Sequence, residues 1–196
     1  MKYILYKILK YSLKPFYRLV YMPKYIGVYN IPKKGAFVMA GTHTSQMDAA
    51  MMVSTPRRVI HTLSKKELFD TPFKNWFFKN MACIPIDRKI HDEDAKKETL
   101  KCLSDGHALG IFPEGTINKE PSKGLLPFKK GAVSFAYKAK CPIVPFAIIG
   151  KYKPFRKGLK VIYGEPYYVK SDNFDKETKI LMDKVLSLRN GVIKND

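Results

Sequence analysis

From residue 25 onward, short apolar runs alternate with longer segments in which apolar residues recur every three or four positions. Short apolar runs bounded by turn residues predict buried strands, and the wider spacing predicts helices packed on them. Residues 36–40 (AFVMA) form the first predicted strand, introduced by the turn sequence Pro32-Lys33-Lys34-Gly35. A helix is expected over 45–53, a strand over 58–63 and a helical stretch over 65–79 that is interrupted near Pro72. Further strands are expected at 83–86, 107–112, 143–149 and 159–163, with helices at 92–104, 131–140 and 175–190. This alternation predicts an α/β fold with a largely parallel or mixed central sheet flanked by helices. No internal repeat or linker divides the chain, which reads as one domain.

The first 22 residues differ from the rest. Lys7, Lys10, Lys14 and Arg18 recur at three- and four-residue spacing, so on a helix they form one narrow basic stripe. Most of the remaining positions are Ile, Leu, Tyr, Phe or Val, and Pro15 is expected to kink or interrupt the helix. A secretory signal would keep its apolar centre free of charge. Cations spread through an aromatic-rich segment instead suit a helix lying in a bilayer interface. Packing of the same helix on the domain's own core is the competing reading. No apolar run reaches the roughly 18 residues of a membrane-spanning helix.

Composition sharpens this picture. Hydrophobic residues are 45% of the 196-residue chain and charged residues 27%, which excludes wholesale disorder. Lys and Arg number 36 against 17 Asp and Glu, a net charge of +19 that calls for an anionic partner: nucleic acid, an anionic membrane or a phosphorylated substrate. Cys83, Cys102 and Cys141 are odd in number and far apart, so neither a disulfide framework nor a zinc site is indicated, and a reducing compartment is expected.

Four segments carry candidate chemistry. In Gly41-Thr42-His43-Thr44-Ser45-Gln46-Met47-Asp48, His43 and Asp48 are five residues apart. On one regular helix they would diverge by about 140°, so they meet only if His43 lies in the turn and Asp48 in the first helical turn. Ser45 and Asp48 also have the spacing of a capping box, which by itself would only start a helix. A histidine at the carboxyl end of a strand, oriented by a carboxylate, has the makings of a general base. The second segment is Cys83-Ile84-Pro85-Ile86-Asp87-Arg88, where Arg88 could grip a phosphate or pair with Asp87. In the third, Phe112-Pro113-Glu114-Gly115-Thr116, Gly115 permits close backbone approach and Thr116 offers a hydroxyl to an anion. Lys119, Lys123, Lys129 and Lys130 follow it. The fourth, Ile143-Val144-Pro145-Phe146, is apolar and bounds a strand or the lip of a groove.

Taken in order, these four segments resemble the motifs of the glycerolipid acyltransferase superfamily, and most closely bacterial 1-acyl-sn-glycerol-3-phosphate acyltransferases. Lys65-Lys66-Glu67-Leu68, Phe128-Lys129-Lys130-Gly131-Ala132 and Gly164-Glu165-Pro166 add to the likeness, which covers roughly residues 25–170. With the basic, aromatic-rich N-terminal segment read as an interfacial anchoring helix over 1–24, it implies an acyltransferase domain over 25–196, held peripherally on the cytoplasmic face of the cell membrane. It implies catalysis by His43 and Asp48, and an acceptor site built from Lys65, Arg88, Glu114, Gly115 and Thr116. The donor would be an acyl-CoA or acyl carrier protein thioester and the acceptor a lysophospholipid, with no cofactor, no metal and no nucleic acid. One position departs from the pattern. The family usually places Arg after Glu-Gly-Thr, and this chain has Ile117, which opens the choice of acceptor to other lysophospholipids or acyl acceptors.

Two rivals are weaker on the residues themselves. A nucleic-acid-binding module would account for the charge, yet no helix-turn-helix, zinc knuckle or RNA-binding aromatic motif is present. A His/Asp hydrolase would favour a Gly-x-Ser-x-Gly elbow, and the chain has none.

Overall fold

The computed structural model describes residues 3–87, 90 and 92–191. Arg88, and the extreme residues of the segments 1–24 and 25–196, lie outside the described residues.

Among these described residues seven strands form one sheet: β1 (Lys24–Ile26), β2 (Phe37–Gly41), β3 (Ile60–Lys65), β4 (Cys83–Ile86), β5 (Ala108–Ile111), β6 (Ile143–Ile149) and β7 (Lys160–Tyr163). Their spatial order is β1-β7-β6-β2-β5-β3-β4. The five from β6 to β4 are parallel, whereas β7 runs antiparallel to β6 and β1 parallel to β7, so the sheet is mixed. Among the described residues six helices flank it: α1 (Ile4–Tyr21), α2 (Met47–Ser54), α3 (Pro72–Asn80), α4 (Glu93–Ser104), α5 (Gly131–Lys138) and α6 (Phe174–Arg189). The expected elements are present, with a 3-10 turn at Lys66–Phe69 before Pro72. The short edge strand β1 was not foreseen. Its three residues carry too little pattern, and pairing with β7 defines it.

Every residue of β2 is buried, yet the two-residue strand period still sorts them. Phe37 and Met39 join Met51, Met52, Val144, Phe146 and Val161 on one face, where α1 and α2 pack. Val38 and Ala40 join Leu103, Val133, Leu181 and Val185 on the other, under α4, α5 and α6. Burying each such large side chain contributes about 1.5–3 kcal/mol. Gly41, at the end of β2, lies so close to Phe146 that a Cβ would fall 2.0 Å from its carbonyl oxygen.

Helix α1 bears on two expectations, its continuity and its basic stripe. It runs unbroken through Pro15. Its basic stripe is also split by packing. Lys10 is buried, and its ammonium donates to the carbonyls of Pro56 and of Arg58, the latter at 2.8 Å. Tyr6 is buried beside it, with its hydroxyl accepting from the Ile60 amide at 3.0 Å. Lys7 and Arg18 stay exposed. The opposite side presents Ile4, Ile8, Tyr11 and Leu19 to solvent, Leu19 at 71% exposure. Phe73 and Trp76 of α3 are exposed as well. The helix thus has two apolar faces, one on the domain and one bare, which a sequence stripe cannot separate.

Candidate active site

Because β2, β3, β4, β5 and β6 are parallel, their carboxyl ends share one edge of the sheet. In α/β sheets this is the edge where ligands collect. The register aligns Ala40 with Ile111, Gly41 with Phe146 and Lys65 with Ile86. The residues just beyond these positions are His43, Phe112–Thr116, Asp87 and the segment after Ile149. Segments far apart in sequence therefore converge.

His43 lies in the turn between β2 and α2, and Asp48 lies in the first turn of α2. The His43 Nδ1 stands 3.4 Å from Asp48 Oδ2. The Asp48 carboxylate is fully buried, and the His43 side chain keeps 18% exposure. The imidazole stacks on Phe112, with ring centroids 4.0 Å apart and planes 14° apart. Asp48 is held from several sides. Its Oδ2 accepts from the amides of Thr44 at 2.5 Å and Ser45 at 2.8 Å, and its Oδ1 accepts from the Tyr152 hydroxyl at 2.5 Å. The capping box forms only in part: Asp48 reaches back to the Ser45 amide, but the Ser45 hydroxyl accepts from the Met47 amide at 3.2 Å. One carboxylate thus starts the helix and faces the histidine.

Glu114 is buried and spends both oxygens on backbone. Oε1 accepts from the His43 amide at 2.9 Å, and Oε2 from the Leu126 amide at 3.0 Å. Asn118 closes the same knot. Its amide donates to the His43 carbonyl at 2.7 Å, and its side chain donates to the Gly124 carbonyl at 2.8 Å. Gly115 takes a left-handed φ of +70°, which favours glycine. The Lys129 side chain crosses it so closely that a Cβ there would lie 2.9 Å from Lys129 Cε and 3.1 Å from its Nζ. Lys129 also donates its backbone amide to the Pro113 carbonyl at 2.8 Å. Lys123 pairs instead with Glu120 and Lys130 with Asp175, each at 2.8 Å. Thr116 is exposed on the turn, and Lys65 is exposed at the end of β3. Asp87, next to the undescribed Arg88, donates its amide to Asp92 at 2.8 Å. Asp92 also caps α4, and the backbone amides it accepts from, Ala95 first, hold its carboxyl below the usual range.

An apolar cavity of about 270 Å³ opens between α1, α2 and α3. Leu13, Ala50, Val53, Phe78 and Met81 line it, and it extends to Gln46 in the turn that carries His43. Among the described residues, no cluster of three or more His, Cys, Asp or Glu side chains is arranged to hold a metal ion. Two participants carried no sequence signal, Asn118 as a loop clasp and Tyr152 as a partner of Asp48, and Phe112 opened a motif without being read as a stacking platform. Each acts through contacts over long sequence distances.

A histidine backed by a buried carboxylate thus lies at the carboxyl edge of the five parallel strands, beside an apolar cavity, an arrangement suited to acyl transfer or acyl cleavage. An acyltransferase family model matches residues 23–149, and the chain belongs to that family. The 1-acyl-sn-glycerol-3-phosphate acyltransferase of Bacillus subtilis (strain 168) is 36% identical over 144 residues, 71% of this chain and 70% of that protein. The protein of the same name from Borreliella burgdorferi is 29% identical over 82% of this chain and 68% of its own length. The crystal structure of the 1-acyl-sn-glycerophosphate acyltransferase PlsC from Thermotoga maritima superposes with a TM-score of 0.73 over 97% of this chain and 82% of that one, at 23% identity, and so shares the fold.

Proposed function

We propose that this enzyme moves a fatty acyl group from an acyl-CoA or acyl carrier protein thioester to the free hydroxyl of 1-acyl-sn-glycerol-3-phosphate, giving phosphatidic acid for phospholipid biosynthesis. The observation that carries this reading is the His43–Asp48 pair, set beside the Glu114–Gly115–Thr116 turn. With Asp48 accepting from Nδ1, the other imidazole nitrogen takes the hydroxyl proton as the oxygen attacks the thioester carbonyl. The tetrahedral intermediate then collapses, the C–S bond breaks, and the imidazolium returns the proton to the leaving thiolate. Acyl chains suit the cavity between α1, α2 and α3, which is lined mainly by apolar side chains.

The acceptor phosphate would meet Lys65, Arg88, the Gly115–Thr116 turn and Lys129. The ammonium of Lys129 over Gly115 supplies the charge that Ile117 lacks. Ile117 itself favours a second reading, in which another lysophospholipid is the natural acceptor. Helix α1 would lie in the plane of the cytoplasmic leaflet, its Ile4, Ile8 and Leu19 face among lipids and Lys7 and Arg18 toward anionic headgroups. No described helix is long and apolar enough to cross a membrane. A panel of lysolipid acceptors, with one acyl-CoA and one acyl carrier protein donor read by mass spectrometry, tests the assignment. Phosphatidic acid as the dominant product supports it, and thioester consumption indifferent to any lysolipid overturns it.

A further inference from the structure

Tyr152 follows β6 and lies 104 residues from Asp48, outside every motif that marks the site in sequence. Its hydroxyl nevertheless donates to Asp48 Oδ1 at 2.5 Å, on the carboxylate oxygen that faces away from the His43 contact. Its ring packs edge-on against Tyr21 of α1, with centroids 5.6 Å apart and planes 86° apart, and Tyr21 stacks on Tyr17. The loop that carries Tyr152 is tied to the same helix by the Phe155 amide, which donates to the Val20 carbonyl at 2.6 Å. A phenol placed this way fixes the rotation of the carboxylate and tempers its basicity. Hydrogen bonds to an ionised carboxylate stabilise the charged form.

We propose that Tyr152 is a positioning residue for acyl transfer, which orients Asp48 and through it His43, and that Tyr21 of the N-terminal helix holds it in place. The inference rests on the assignment of His43 as the base. Burial, and then the Asp48 charge, push the Tyr152 hydroxyl far above the usual phenol range. The other titratable groups facing this pair are His43 in the β2–α2 turn, Tyr17 and Tyr21 of α1, and Tyr25 of β1. Glu114 reaches the turn through the His43 amide. Phenols ionise near pH 10, well above an imidazole-controlled limb, so a change in that limb reports on the His43–Asp48 pair.

The test is Tyr152→Phe, which keeps the ring against Tyr21 and removes only the hydroxyl. The variant is expected to lower kcat by about tenfold, with both KM values nearly unchanged. A carboxylate that accepts one hydrogen bond fewer holds the imidazolium more tightly, so the acidic limb of the kcat–pH profile should move to higher pH. Added to His43→Ala, the same change should cost nothing further, because residues acting as one unit are not additive. A ring-fluorinated tyrosine at 152, which donates more strongly and preserves the packing, should move the limb the opposite way even if the phenylalanine variant folds poorly. An unshifted limb in both variants, or an undiminished loss in the His43→Ala background, overturns the proposal. Full activity of His43→Ala alone would instead overturn the catalytic reading beneath it.

Discussion

Glu114 Oε1 accepts the backbone amide of His43 at 2.9 Å, and its other oxygen accepts the amide of Leu126. The acidic residue of the Pro-Glu-Gly-Thr turn therefore clamps the β2–α2 turn to the loop over it, with no carboxylate oxygen left unpaired. Replacing it with Ala strands two amides, at a cost of about 1–3 kcal/mol for each one that stays dry. Glu114→Ala should lower the melting temperature and kcat together. Glu114→Gln, which keeps one carbonyl acceptor, should fall between the two in thermal melts and turnover.

His43→Ala and Asp48→Asn should each reduce acyl transfer by at least about 100-fold in protein whose circular dichroism is unchanged. Asp48 has a second duty, since it accepts the Thr44 and Ser45 amides. Asp48→Ala should therefore lose stability as well as activity, whereas Asn keeps an acceptor for those amides. Near-normal turnover in folded His43→Ala would remove it as the base.

Lys129 is the loop lysine that lies across Gly115, while Lys123 and Lys130 are drawn into ion pairs with Glu120 and Asp175. Lys129→Ala should raise the acceptor KM several-fold more than the donor KM, whereas Lys123→Ala should change neither. Adding Ile117→Arg to Lys129→Ala should restore acceptor affinity if the two cations serve one phosphate. Steady-state kinetics with each substrate varied in turn decide this.

For membrane binding, removal of the whole N-terminal segment would be a poor probe, because Tyr6 and Lys10 are part of the folded interior. Surface changes isolate the effect. Ile8→Ser with Leu19→Ser should release the protein from anionic vesicles without lowering its melting temperature. Lys7→Glu with Arg18→Glu should weaken binding most at low salt, since exposed charges are screened beyond about 10 Å at 0.1 M. Sedimentation with vesicles that leaves all variants fully bound would refute the anchor.

Burial, aided by Lys14, lowers the pKa of Lys10 from 10.5 to about 8. The folded state thus releases this proton before the unfolded chain does. The cost of holding the charge is fully present below about pH 8 and is relieved as pH rises toward 10.5. The tyrosines with raised pKa values, such as Tyr6 at about 12, act in the opposite direction only above pH 10, where unfolded phenols ionise. Between pH 7 and 9.5 the native protein should therefore gain melting temperature relative to Lys10→Met, which has no proton to release. Parallel curves for the two proteins would refute the linkage.

Much of this was legible in one dimension. Alternation of apolar runs with periodic segments specified the α/β layers, because strand and helix periods are local steric properties. That His43 meets Asp48 was legible from their five-residue spacing across a strand-to-helix turn, and the Phe112–Thr116 turn stood out by its residue types. The parallel sheet then brings them to one edge without further instruction. Three-dimensional packing decided the rest. It buried Lys10 out of an otherwise uniform basic stripe, since two carbonyls of the segment before β3 needed a donor. It turned Glu114 inward onto amides and laid Lys129 over Gly115. It also set Tyr152 against Asp48 across 104 residues. None of these contacts follows from spacing, because each depends on how the sheet, the helices and the loops pack in three dimensions.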